Sequence, residues 1–321
     1  MPLIDLPLEE LKTYQGRNPK PADHAEFWSN ALRELGDTSA NVELIPSRFQ
    51  SEVAECYHLY FSGVGGSRVH AKYLRPRNVG KSIANRALLQ FHGYTGHSGD
   101  WLDKLAWVSQ GFCVASMDCR GQGGRSDDAG AVRGTTHHGH IVRGLDDVAE
   151  KMLYRQIFLD TVQLARIVMS FDEVDENRVG ATGWSQGGGL TIACAALEPK
   201  IQRAAPVYPF LTDYQRVWEM DLAEEAYREL RNFFRMFDPL HERESEIFDR
   251  LGYIDVQHLA ERVSAEVLMP VGLMDKICPP STQFAAYNKI VSKKELLIYP
   301  DFGHEALPGC HDRIFAFMSE L

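Results

Sequence analysis

A mostly parallel sheet with helices on both faces is the fold class this sequence predicts, and two observations carry the prediction. From residue 87 onward, short apolar runs alternate with helical segments, the signature of repeated strand–helix units. The stretch RVGATGWSQGGGL (178–190) then sets a serine between two glycines at the point where one such run gives way to a helix. In sheets of this kind ligands sit outside the carboxyl ends of the strands, so the residues that follow each strand are where chemistry is expected.

Composition excludes other classes. The chain has 321 residues, 44% hydrophobic and 24% charged, which is the balance of a folded globular protein rather than a disordered or fibrous one. A net charge of −10 repels phosphate backbones, so nucleic acid is not an expected partner. No eighteen apolar residues run together, and MPLIDLPLEELK lacks the apolar core of an export signal. Six cysteines are scattered without a C-x-x-C pair and read as reduced thiols. The expectation is a cytoplasmic protein that neither enters nor crosses a membrane. It is read as one domain over 1–321, with a helical N-terminal extension to about residue 50 and a helical insertion at about 213–262.

In chain order, Asp23 is placed to cap a helix over His24–Leu35, with Glu26 in the capping-box position and Phe27, Trp28, Leu32 and Leu35 on its apolar face. Cys56–Phe61 and Arg68–Leu74 alternate around a glycine-rich turn and read as an antiparallel hairpin at the sheet edge. Parallel strands are expected at Ala87–Phe91, Phe112–Met117, Val179–Gly183, Arg203–Val207, Val267–Gly272 and Leu296–Tyr299. The insertion is charged and helical; it reads either as a solvated helical excursion or, with Phe233, Phe234 and Phe237 exposed and needing a partner surface, as a lid or an oligomer contact.

The G-x-S-x-G pattern by itself arises by chance in about one chain in ten of this length. Its setting gives it meaning. A sharp strand-to-helix turn strains the serine backbone, and side chains at the flanking positions Gly183 and Gly187 would collide with neighbouring elements. Ser185 then stands exposed at the sheet rim, and the Gln186 backbone N–H at a helix start points to the same spot. A serine hydroxyl needs a base to take its proton and an acid to orient that base. Asp275 and His304 each lie just past a strand end, and the chain order serine, acid, histidine is that of an α/β-hydrolase. Asp301, on the same loop as His304, is the competing acid and is too near in sequence to reach the ring's Nδ1 while the imidazole faces the serine. The turn His92-Gly93-Tyr94 after the first parallel strand supplies a second backbone donor for a developing oxyanion, at Tyr94. Pro209 and Phe210, past the strand ending at Val207, are placed to wall an acyl pocket.

Across nearly its whole length the sequence resembles carbohydrate esterase family 7, the acetyl xylan esterases and cephalosporin C deacetylases. The resemblance runs from LPLEELKTYQG (6–16) through Glu26-Phe27-Trp28, Arg120-Gly121-Gln122, SFDEVDENRVGATG (170–183), Gly183-Trp184-Ser185-Gln186-Gly187 and GLMDKICPPSTQFAAYN (272–288) to His304-Glu305. It implies a serine esterase releasing acetyl groups from short acetylated xylo-oligosaccharides and from cephalosporin C, with Ser185, Asp275 and His304 as triad and the Tyr94 and Gln186 amides as oxyanion donors. It implies no metal and no cofactor, and a homo-oligomer: a hexamer built as a trimer of dimers, with an assembly role for the insertion.

Other motifs are set aside. Arg120 reads as a buried strut tying loops together. Gly121-Gln122-Gly123-Gly124 lacks the last glycine of a dinucleotide fingerprint, and the histidines from His137 to His140 lack partner ligands at metal spacing. Two alternatives keep their place: another acyl hydrolase or peptidase of the same fold, and a catalytically silent binding protein.

Overall fold

The computed structural model describes residues 4–77, 84–132, 139–222 and 225–321. Among the described residues nine strands form one sheet: β1 (Glu43–Pro46), β2 (Ala54–Ser62), β3 (Arg68–Pro76), β4 (Asn85–Phe91), β5 (Phe112–Met117), β6 (Val174–Trp184), β7 (Arg203–Val207), β8 (Glu266–Gly272) and β9 (Lys294–Tyr299). Their spatial order is β1-β2-β3-β5-β4-β6-β7-β8-β9. The first three strands and the β3–β5 junction are antiparallel, and from β5 to β9 every pairing is parallel. The antiparallel unit stands at the edge as the alternating pattern implies, but it has three strands. The extra one, β1, is four residues long and exposed throughout, so it carries no inside–outside alternation to read.

Helices α1 (Leu8–Leu11) and α2 (His24–Asp37) precede the sheet. Helices α3 (Leu102–Ser109), α4 (Leu153–Met169) and α5 (Gln186–Leu197) follow β4, β5 and β6, while α9 (Pro280–Lys289) and α10 (Cys310–Ser319) follow β8 and β9. Helix α5 is buried on every side, which explains its run of glycines and alanines: small residues let it lie close against the sheet. Trp28 of α2 is wholly buried and its indole donates to the Tyr253 carbonyl at 2.9 Å. Asp23 does not cap this helix with its side chain. Its carboxylate instead accepts from the Tyr253 hydroxyl at 2.5 Å, a charge-assisted contact that outcompetes the local one.

Between β7 and β8 lie α6 (Tyr214–Glu219), α7 (Arg228–Phe237) and α8 (Glu244–Leu251). Their aromatic residues are not the exposed set that the sequence suggests. Phe233 and Phe234 are buried and Phe237 is half-buried; Trp218 packs on Phe234 at 4.6 Å and Phe248 joins them. The segment is long enough to bury its own apolar side chains, so they need no outside partner.

Candidate active site

The parallel pairing aligns the strand ends that matter. Gly183 of β6 sits beside Phe91 of β4, Trp184 beside Val207 of β7, and Gly272 of β8 beside Tyr299 of β9. The loops bearing Ser185, Tyr94, Asp275 and His304 therefore emerge on one rim.

Ser185 has φ 59° and ψ −118°, a conformation that L-residues avoid unless the surroundings impose it. Here they do: its N–H donates to Val207 O at 3.0 Å, and its carbonyl accepts from the Phe210 N–H at 3.0 Å. The two glycines are sterically required. A Cβ on Gly183 would stand 2.5 Å from the Gly187 carbonyl, and one on Gly187 would stand 2.1 Å from the Phe91 oxygen.

His304 Nδ1 lies 2.8 Å from Asp275 Oδ2, and the Asp275 carboxylate is completely buried. Asp275 Oδ1 accepts from the Ile277 and Cys278 amides at 2.9 and 2.8 Å, and Gln283 approaches the other oxygen, so the ionised acid is solvated by protein dipoles. An ionised carboxylate accepts only, which puts the proton on Nδ1 and leaves Nε2 as the basic nitrogen. Met274 N donates to Phe302 O at 2.9 Å and locks the acid loop to the histidine loop. The acid paired with His304 is Asp275 and not Asp301. The side chains of Asp275, Cys278 and His304 offer atoms within 4.8 Å of one another. Imidazole and carboxylate are thus gathered with Cys278. The trio is a poor cation site: burial pushes the Cys278 thiol up so that it stays protonated, and Asp275 and His304 already spend their facing atoms on each other.

Gln186 contributes more than the backbone N–H expected of it. Its buried side-chain amide pairs with that of Gln122 at 2.8 and 3.1 Å, accepts from the Tyr154 hydroxyl at 2.6 Å and reaches the His92 carbonyl at 3.3 Å. Gln122 in turn accepts from the Thr95 N–H at 3.0 Å. His92 donates from Nδ1 to the Gly93 carbonyl at 2.7 Å and accepts the Cys119 N–H at Nε2. The turn that presents Tyr94 is therefore held from below by side chains of two other loops. Arg120 is the strut that the sequence suggests, buried and bidentate to Asp160 at 2.7 and 2.6 Å.

Pro209 and Phe210 are both buried beside Ser185, with the Phe210 ring between Tyr94 at 5.6 Å and Tyr227 at 4.4 Å. Sequence reasoning missed Tyr208, whose ring packs on the His304 imidazole at 4.5 Å; its place directly after β7, one residue before Pro209, was the available signal. It also missed Gln122 as a partner of Gln186. His137 and His138 lie outside the described residues, and the His140 ring stands 5.0 Å from that of Tyr94.

Comparison with known proteins bears on family and fold. Residues 1–321 match the acetyl xylan esterase (AXE1) family. The fold superimposes on acetyl xylan esterase 1 from Thermoanaerobacterium sp. JW/SL YS485 with a TM-score of 0.97 and 56% identity, covering 99% of each chain. An acetyl xylan esterase from Paenibacillus sp. R4 gives 0.93 and 32%, covering 98% of this chain and 99% of that one. The acetyl esterase Axe7A of Xylanibacter ruminicola is 24% identical over 297 residues, 91% of this chain, and this chain spans 64% of that relative's length. Peptidases such as the Pyrococcus horikoshii acylaminoacyl peptidase, at 16% identity and a TM-score of 0.60, covering 84% of this chain and 42% of that one, share the fold alone. With a match along its entire length and a near-superimposable solved relative, the chain belongs to the acetyl xylan esterase family and has the α/β-hydrolase fold.

Proposed function

We propose that this protein is a serine esterase that hydrolyses acetyl esters of small substrates, acetylated xylo-oligosaccharides and cephalosporin C among them, through Ser185, His304 and Asp275. The observation that carries the reading is the 2.8 Å contact of His304 with the buried Asp275 carboxylate at the rim where Ser185 is held in a strained turn. His304 Nε2 takes the Ser185 proton as the hydroxyl oxygen attacks the acetyl carbonyl. Asp275 stabilises the imidazolium, and the Tyr94 and Gln186 amides receive the oxyanion. Collapse breaks the ester bond, His304 returns the proton to the departing sugar oxygen, and the acetyl group remains on Ser185. Water, deprotonated by the same imidazole, then releases acetate. Pro209 and Phe210 close the acyl end of the site, which favours acetyl over longer groups.

Two further readings accompany this one. The chain works as a homo-oligomer, a hexamer arranged as a trimer of dimers. In support, the edge strand β1 and its flanks expose Val42, Leu44 and Ile45, and exposed apolar edge strands invite a covering partner. The compartment is the cytoplasm, since all six cysteines are free and buried; among the described residues no helix is long and apolar enough to cross a membrane.

The test is a p-nitrophenyl ester series of increasing acyl length, run on wild type and Ser185→Ala with acetate release from acetylated xylose beside it. Activity confined to short acyl groups and abolished in the variant is expected; undiminished turnover by Ser185→Ala would overturn the reading. Sedimentation equilibrium checks the assembly, with a monomer at micromolar concentration as the contrary result.

A further inference from the structure

Helix α7 sends one carboxylate into the catalytic end of the sheet. Glu229 is buried, and its Oε1 accepts a hydrogen bond from the Tyr94 phenol while its Oε2 accepts the Val142 N–H at 2.9 Å. The His140 N–H closes the circuit by donating to the Tyr94 hydroxyl at 3.3 Å. Gly139 leaves room for the carboxylate: a Cβ there would lie 2.3 Å from Oε2. The insertion, the segment around residue 140 and the turn after β4 thus share one buried anion.

We propose that Glu229 is a positioning residue for ester hydrolysis, acting through the Tyr94 side chain to hold the Tyr94 backbone N–H where the oxyanion forms. This rests on the acyl-transfer reading above. A backbone donor at a turn with a glycine before it is only as well placed as its side-chain anchor. Tyr94 has such an anchor at its far end, since its ring leans on Phe210 and its hydroxyl is tied to a buried carboxylate that, without the phenol, would keep an unpaired oxygen away from water. The anchor comes from the insertion between β7 and β8, so a segment remote in sequence supports the donor geometry.

The ionised form does this work, because two separate donors need two acceptor oxygens. Burial pushes the Glu229 carboxyl up to about 7, with the hydrogen bonds from Tyr94 and from the Val142, His140 and Ile141 amides opposing the rise. The titratable groups facing it are the phenols of Tyr94, Tyr154 of α4 and Tyr214 of α6, and the His140 imidazole. As pH falls through that value, one oxygen becomes a donor facing another donor and the anchor loosens.

The experiment measures kcat and KM for p-nitrophenyl acetate on wild type, Tyr94→Phe, Glu229→Gln and the double variant, with Ser185→Ala as control and melting curves for each. Expected is a fall in kcat of about 10- to 100-fold in each single variant, less than the loss of a whole oxyanion donor, with KM changed little. The double variant falls no further than the worse single, as residues acting in series require. The acid limb of log kcat against pH should lose one proton's dependence in Glu229→Gln. Wild-type kcat in Tyr94→Phe, losses that multiply in the double variant, or an unaltered acid limb would each overturn the proposal. If Glu229→Gln does not fold, Tyr94→Phe, which keeps the carboxylate and its Val142 contact, decides by its kcat alone. Active Ser185→Ala brings down the acyl-transfer reading and the proposal with it; silent Ser185→Ala beside wild-type variants brings down the proposal only.

Discussion

The same rim carries two aspartate–histidine pairs, each with a buried carboxylate. Asp275 and His304 meet at 2.8 Å beside a serine in a strained turn; Asp118 and His70 meet at 2.6 Å, both almost fully buried, four strands away. Judged by the acid and the imidazole alone, the second pair is the better made. What differs is the far side of the ring. His70 Nε2 meets His58 Nδ1 at 2.9 Å, and Asp118 also gathers the Ser98 and Arg125 amides at 2.6 and 3.0 Å. Those bonds knot the loops around a cleft of about 830 Å³, and among the described residues both ring nitrogens of His70 are engaged, by Asp118 and His58. An acid–histidine pair becomes a general base through what its second nitrogen faces, and for His304 the proposed partner is the Ser185 hydroxyl of the β6 turn.

The comparison can be tested from its largest contrast downward. Removing the hydroxyl that separates the two pairs, Ser185→Ala, should lower kcat on p-nitrophenyl acetate by on the order of 10⁴-fold or more with an unchanged melting temperature, read by steady-state kinetics and calorimetry. Next, identical substitutions at the two acids should diverge. Asp275→Asn should lose about 10⁴ in kcat through loss of the Nδ1–H tautomer, whereas Asp118→Asn should keep kcat near wild type and lose about 3 kcal/mol of stability through its buried hydrogen bonds, read by urea denaturation. Similar kcat losses in the two variants would erase the distinction drawn here.

A pH experiment sharpens the structural half. Burial raises the Asp118 carboxyl, yet the hydrogen bonds from His70 and from the Arg125 and Ser98 amides outweigh it and hold the group below its ordinary value of 3.8. Its contribution to stability is therefore complete above that value and lost as pH falls toward the depressed one. Asp118→Asn should flatten the acid side of the stability curve. The smallest effect belongs to His58, which burial, and then the neighbouring His70 charge, lower from 6.5 to about 4. A group lowered on folding stabilises above its unfolded value and loses that contribution as pH falls, so the melting temperature of wild type should drop between pH 6.5 and 4. His58→Gln should drop less steeply over the same range. His24 and His258, lowered to about 3 and about 4 by burial first, keep the remaining slope in the variant.

Much of the candidate site was legible in the amino-acid order because each of its members sits just after an apolar run, and a run of that kind announces itself locally. Phe112–Met117 and Arg203–Val207 match their strands end to end, and the serine turn is marked by glycines whose missing side chains have a steric reason. Features made by distant partners left no such mark. His70 and Asp118 are 48 positions apart and meet only because β3 pairs antiparallel with β5. Glu229 reads as one charge among many on a charged helix until the fold brings it under Tyr94. Phe233 and Phe234 look exposed in a polar segment because their partners, Trp218 and Phe248, come from neighbouring helices rather than neighbouring residues.

Alternating apolar runs and the placement of Ser185, Asp275 and His304 after their strands were determined by the sequence alone, because strand formation and tight-turn sterics act over a few residues. That Asp118 would carry His70, and that Glu229 of the insertion would meet the Tyr94 hydroxyl, was decided only by tertiary structure. Those contacts depend on loops closing over tens to hundreds of residues, and burial gives them meaning by removing the water that would otherwise satisfy each group.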